Sequence, residues 1–325
     1  MKQIIKKAAS LIITLFVVSL LAFLAFQVIP GDPTTKILGT NASPQKVAQL
    51  RTQLGLDRPV LIRYWEWLTA FLRGDFGTSY SFLRPVSSLL ADKLPVTALL
   101  TALSCAMTIL ISIPLGVFSG SLRGTLADHL ATVTDQIIMA VPPFFFGIIA
   151  CYLFGIVLKW FLPGNYVSLS TSVPGCLAYL LLPALCLALP RIAMTNRMLR
   201  SSIREELTCS YVLTAQSRGM ARPTIILRHV LRNAMIPVVT FLAVSAAEIM
   251  TGTIIIEQVF TIPGIGRLLI SSIGNRDYPV VQAIVVLLAA WIMIVNFAAD
   301  LVNYWMDPRR RNRSLRGRKS QMHTC

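Results

Sequence analysis

Long apolar runs separated by short polar stretches dominate the chain. Residues 8–31 carry no charge and are nearly all apolar, and further charge-free windows run over 94–122, 136–158 and 160–190. The last window opens with a polar turn, PGNYVSLSTSVPG at 163–175, so its apolar span begins near Cys176. Two more runs cover about 236–258, interrupted by Glu248, and about 279–303. About 20 apolar residues cross the ~30 Å hydrocarbon core as a helix. Lipid satisfies no backbone N–H or C=O, so each run is predicted to be helical. The pattern predicts an all-α integral membrane protein with six transmembrane helices and both termini cytoplasmic.

Lys2, Lys6 and Lys7 precede the first run, as they would in a cleaved signal peptide. The run is longer than a signal peptide's apolar region and no A-x-A-like site follows it, so a retained first span is expected. Pro114, Pro142, Pro143, Pro183 and Pro190 fall inside the spans. Each removes a helical hydrogen bond, which a neighbouring helix or a watery cavity must replace. The polar stretch 31–93 is too long for a simple connection. Ser43-Pro44 reads as an N-cap and first helical position for a helix through Leu54. A second helix over 60–73 carries Tyr64, Trp65, Trp67 and Phe71, which read either as interfacial anchors or as a docking surface for an external partner. The chain thus divides into a first transmembrane helix (1–30), an extracytoplasmic loop domain (31–93), a five-helix core (94–305) and a basic cytoplasmic tail (306–325).

Composition agrees. The chain of 325 residues is 55% hydrophobic and 14% charged, with a mean hydropathy of +0.67. A soluble domain carries roughly 25% charge. The net charge of +16 invites a nucleic-acid reading. However, 19 of the 30 basic residues sit in segments predicted to be cytoplasmic: the N-terminus, Arg123, 191–232 and 309–319. The short outer loops 161–175 and 259–278 hold only Arg267 and Arg276. That is the positive-inside pattern of a membrane protein, and it argues against a nucleic-acid partner; membrane lipid is the partner it implies.

No Walker A, G-x-S-x-G, H-E-x-x-H or Rossmann pattern occurs, and the only histidines are His129, His229 and His323. The six cysteines include no CxxC spacing, so neither a disulfide framework nor a zinc site is expected. The chain is therefore expected to be no enzyme, with no catalytic residue, no metal and no cofactor of its own. Polar groups inside spans are the remaining candidates. Glu248 lies mid-span, where a charge costs at least ~2.5–3.5 kcal/mol, and Arg191 is its candidate partner. It lines a pathway or serves as a paired or protonated structural group. Asn296, Asp300 and Asn303 share one face of the sixth span, where interhelical hydrogen bonding is the favoured role. Glu257, at the outer end of the fifth span, is expected to reach water.

The region 198–235 is the most informative polar segment. LRSSIREELTCSYVLTAQSRG reads as a helix ending at Gly219, with Pro223 opening a new helix, so a cytoplasmic helix–turn–helix elbow is predicted. By charge alone it is a solvated positive-inside loop. Tyr211–Gly219 with the following RHVLRNAMIPVV, however, resembles the EAA-type cytoplasmic loop of ABC-importer permeases, in the oligopeptide, dipeptide and nickel transport family. Pro30-Gly31-Asp32-Pro33, LGLDRPVLIRYWEWL, GDFGTSY, IPGIGRLLISSIGNRDYPVVQ and NFAADLVNYWMDPRRR resemble the same family, in order along the whole chain. Leu231-Arg232 stand where other importer families have Leu-Pro, and the proline comes instead at Pro237.

The resemblance implies an importer of five parts. An extracytoplasmic solute-binding protein captures the solute, this chain and a second homologous permease form the pathway, and two ATP-binding subunits hold ATP and magnesium. Ala215, Arg218, Gly219 and Arg222 would belong to the coupling loop, with Ala215 packing on a partner; Glu248, Arg191, Asn296 and Asp300 are the pathway candidates. An ion-coupled secondary transporter is disfavoured by the non-repeated spans and scarce midplane acids; a membrane scaffold is the other alternative. AEIMTGTIIIEQVF, through Glu248, looks closer to nickel-type members, so nickel or a nickel chelate is expected slightly ahead of di- or oligopeptides.

Overall fold

The computed structural model describes residues 2–28, 43–53, 55, 57–122 and 124–306. The Pro30–Pro33 motif, Arg123, the side chain of Asn303 and the basic tail from 307 lie outside the described residues. Twelve helices are described: α1 (Lys2–Val28), α2 (Pro44–Gln53), α3 (Val60–Leu72), α4 (Val86–Ser121), α5 (Leu126–Ala140), α6 (Pro143–Ala150), α7 (Val173–Glu206), α8 (Ser210–Ser217), α9 (Arg222–Ile225), α10 (Leu231–Val259), α11 (Ile265–Asn275) and α12 (Tyr278–Met306). Wide π-helical turns extend α6 over Cys151–Val157 and join α9 to α10 over Ile226–Val230. Four stretches are long and apolar enough to span a membrane: 86–121, 173–206, 222–259 and 278–302. The pair Leu126–Ala140 and Pro143–Val157 makes a fifth if it is counted as one bent span, and α1 holds a shorter apolar stretch, Ala9–Ala25.

The window at 136–158 does not form one straight helix. A residue preceding proline is pushed out of the α region. Val141 and Pro142 both precede a proline, and both are extended (φ −98°, ψ 126° and φ −62°, ψ 145°). Two consecutive extended residues break the helix, and the halves meet at 94°. Pro183, Pro190 and Pro237, by contrast, sit inside helices that continue through them.

The chain forms two compact units, Met1–Leu99 with Thr261–Met293, and Leu100–Phe260 with Ile294–Cys325. In the first, Tyr64 of α3 is buried beside Phe16 and Phe23 of α1, with ring centroids 6.0 and 5.4 Å away. Its hydroxyl shares a 2.8 Å hydrogen bond with Ser19. The same unit holds a buried carboxylate. Asp277 accepts from Ser79 Oγ at 2.5 Å, Tyr80 N at 3.0 Å and Ser81 N at 3.1 Å. This joins the GDFGTSY and NRDYP segments, two of the stretches that carried the resemblance.

In the second unit α7 is the central post, packed by α5, α6 and α10. Close approach depends on glycine. A Cβ on Gly116 of α4 would stand 2.7 Å from the Leu199 side chain, and one on Gly120 would stand 3.1 Å from Ile203. This small-xxx-small spacing lets helix backbones approach where lipid supplies no hydrophobic drive. The last turn of α10 packs on α6, where a Cβ on Gly147 would meet Phe260 at 3.2 Å and Ile256 at 3.3 Å. Glu257 lies in that turn and is fully buried. The expectation that it reaches water is therefore corrected: the end of α10 is an interior helix end.

Candidate coupling elbow and intramembrane polar groups

The helix expected to reach Gly219 is in fact broken. α7 stops at Glu206, residues 207–209 turn, and α8 restarts at Ser210. Thr208 Oγ1 donates to the Glu205 carbonyl at 2.7 Å, a local bond that competes with helix continuation. Glu206 then gathers the pieces: its Oε2 accepts from Tyr211 Oη at 2.6 Å and from Asn233 Nδ2 at 3.4 Å. Burial, with that carboxylate as acceptor, pushes the Tyr211 hydroxyl up to about 12, so it donates throughout the physiological range.

The end of α8 is a Schellman motif, with Met220 N bonding Ala215 O at 3.3 Å and Gly219 N bonding Gln216 O at 2.9 Å. Gly219 takes φ +73°. Nothing lies within 4 Å of where its Cβ would be, so glycine is required there by the backbone alone. Pro223 then opens α9. Ala215 needs correction: it is buried within this chain, with Val212, against Leu199, Ile203, Ile225 and Val238. It fastens α8 onto α7 and α10, and the face of α8 left free is that of Leu213, Gln216 and Ser217. Arg218 and Arg222 are exposed, and Arg222 Nη2 donates to the Ser121 carbonyl at 3.1 Å.

Two arginines of the 198–235 stretch are likewise not loop charges. Arg200, 4% exposed, sets Nη2 3.3 Å from Asp135 Oδ2 and Nη1 4.0 Å from Asp128 Oδ1. Arg204 pairs with Asp128 as well. Asn196 Nδ2 donates to both Asp135 oxygens at 2.9 Å, and Ser119 Oγ donates to Asn196 Oδ1 at 3.1 Å. The cluster ties α4, α5 and α7 together. Its signal was present in the spacing: Asp128 and Asp135 are seven apart, and Asn196, Arg200 and Arg204 recur every four, so each set lines one helix face.

Arg191 of α7 and Glu248 of α10 form an ion pair, with side chains 25% and 49% exposed. Arg191 Nη1 also lies 3.9 Å from Met194 Sδ. Asn296 and Asp300 lie on α12, exposed and half-buried respectively.

Residues 112–312 match the family described as binding-protein-dependent transport system inner membrane component, and residues 1–101 match its N-terminal companion. The chain belongs to this family. It is an ABC-importer permease of the peptide/nickel type, an integral component of the inner membrane that works with other transporter subunits. The permease is 36% identical over 306 residues to a Brucella abortus protein named, provisionally, as a peptide transport system permease, covering 94% of this chain and 98% of that one. It is 33% identical over 306 residues to a Sinorhizobium fredii protein provisionally named a peptide ABC transporter permease, with the same coverage. It is 34% identical over 308 residues to the glutathione transport system permease of Salmonella typhimurium, covering 95% and 98%.

Proposed function

We propose that this permease is half of the translocation pathway of a five-part importer and that its solute is a short peptide or a peptide-like molecule. The second half is a homologous permease, an extracytoplasmic binding protein delivers the solute, and two ATPases dock on the elbow. ATP and magnesium belong to those ATPases. Movement imposed on α8 passes to α7 and α10 through the buried face around Ala215, and so to the helices that carry Arg191 and Glu248.

The Arg191–Glu248 pair carries the choice of solute. A route for a metal cation needs an unbalanced carboxylate, and Glu248 is already neutralised by Arg191. A peptide presents one ammonium and one carboxylate, which a half-exposed Arg/Glu pair can meet one for one. The relatives named for peptide and glutathione transport support the same choice over nickel. The test is uptake of a labelled tripeptide and of radioactive nickel by cells carrying the complete transporter. Glu248→Gln and Arg191→Met should each leave protein levels near normal and lower peptide uptake several-fold, with nickel uptake at background throughout. Nickel uptake that depends on Glu248 while peptide uptake is untouched would reverse the assignment.

A further inference from the structure

At the elbow end of the second unit, the last turns of α4 and the beginning of the 222–259 rod wall an open groove of about 610 Å³. Ile113, Val117, Phe118, Ile226, Leu227 and Leu231 supply its apolar walls. Phe118 and Leu227 are 62% and 60% exposed, so the apolar surface is left uncovered by the described residues. The polar lining is confined to Ser121 and Arg222. Arg222 is tethered at that position by its 3.1 Å bond to the Ser121 carbonyl, a C-terminal carbonyl of α4 with no helical donor left to it. One of five guanidinium N–H groups is used there, and the others are available to an anion.

The volume falls in the ~300–1,000 Å³ range of small-molecule sites. Both walls belong to helical stretches long and apolar enough to span a membrane, and the groove lies toward one end of each. An apolar slot with a fixed cation at its mouth complements a molecule that is apolar along its length and anionic at one end. The fixed guanidinium at the mouth favours an occupant with an anionic end over a purely apolar helix of another subunit. We infer that this groove is a binding site for one anionic phospholipid of the inner leaflet, its acyl chain along α4 and its phosphate on Arg222. Basic pockets between spanning helices on the cytoplasmic side bind such headgroups. The inference rests on the proposed inward orientation of the elbow.

The experiment is native mass spectrometry of the assembled importer released from phosphatidylcholine vesicles with and without phosphatidylglycerol. Retention of one phosphatidylglycerol per copy of this permease is expected, in preference to phosphatidylcholine. Leu227→Trp, which fills the slot at an exposed position, should remove it. Arg222→Gln should lower retention about fivefold, the worth of one arginine near an anionic surface. Equal retention of both lipids, or retention indifferent to both variants, overturns the inference. So does a photo-crosslinker at Leu227 that labels the second permease instead of lipid. Phosphatidylglycerol that is retained and lost as expected, in a protein whose Arg222→Cys variant labels from outside the cell, would keep the lipid site and reject the orientation.

Discussion

The two units each bury carboxylates, and they satisfy them in opposite ways. Asp277, with no exposed surface, accepts from a serine hydroxyl and two backbone amides, all short groups fixed by the local chain. Asp128 and Asp135 are satisfied mainly by long arginine and asparagine side chains reaching from another helix. Backbone donors hold one geometry and cannot follow a moving partner. Arginines have rotamer freedom, and here two donors, Arg200 Nη1 and Arg204 Nε, have no hydrogen-bond partner among the described residues. The first arrangement suits a loop assembly that keeps its shape; the second suits helices free to exchange partners.

The largest effect should come from breaking the ionic cluster. Arg200→Met strands two buried carboxylates beside one remaining arginine and is expected to cost about 3–5 kcal/mol, read as loss of the protein from membranes. Adding Asp135→Leu should restore the level, because an apolar replacement of both partners is tolerated. If the single variant accumulates normally, the cluster is not buried in the assembled importer. Asp277→Asn is expected to cost less, about 1–3 kcal/mol in thermal unfolding, since the amide turns one acceptor into a donor facing a donor. The comparison sharpens in transport. Partial-activity variants at Asp128 should alter turnover at equal protein level, whereas those at Asp277 should change abundance alone.

Elbow substitutions come next, and the structure separates two that look alike in sequence. Ala215→Asp places a charge in a closed apolar cluster, so the protein should be lost rather than uncoupled. Gly219→Val adds a side chain to open space and strains only the backbone, costing about 1–3 kcal/mol. It should leave the complex assembled while lowering uptake per ATP hydrolysed. Uptake at the full rate from both variants would reduce the elbow to a solvated loop.

Much of this was legible in the sequence. Charge-free windows located four helices long and apolar enough to span a membrane, though not the break at 141–142, and glycine with a following proline located the elbow's turn at Gly219 and Pro223. The break at 207–209 was hidden because the residues after Glu206 are compatible with a helix, and only the contacts of Thr208 and Glu206 decide against it. The Arg200 and Arg204 pairs do not show in the number of arginines, only in the helix face that each occupies. Asp277 and Ser79 are 198 residues apart, a contact no local pattern announces. Glu257 was misplaced because helix length alone does not say that α10 ends against α6.

The central claim is that this permease moves solute only when ATP acts on the elbow. The direct test is peptide uptake by vesicles holding the complete transporter, with the binding protein on one face and ATP on the other. The account predicts uptake that requires both, falls with Gly219→Val in an intact complex, and is indifferent to ionophores. Uptake that persists without ATP and collapses with the ion gradient would contradict it.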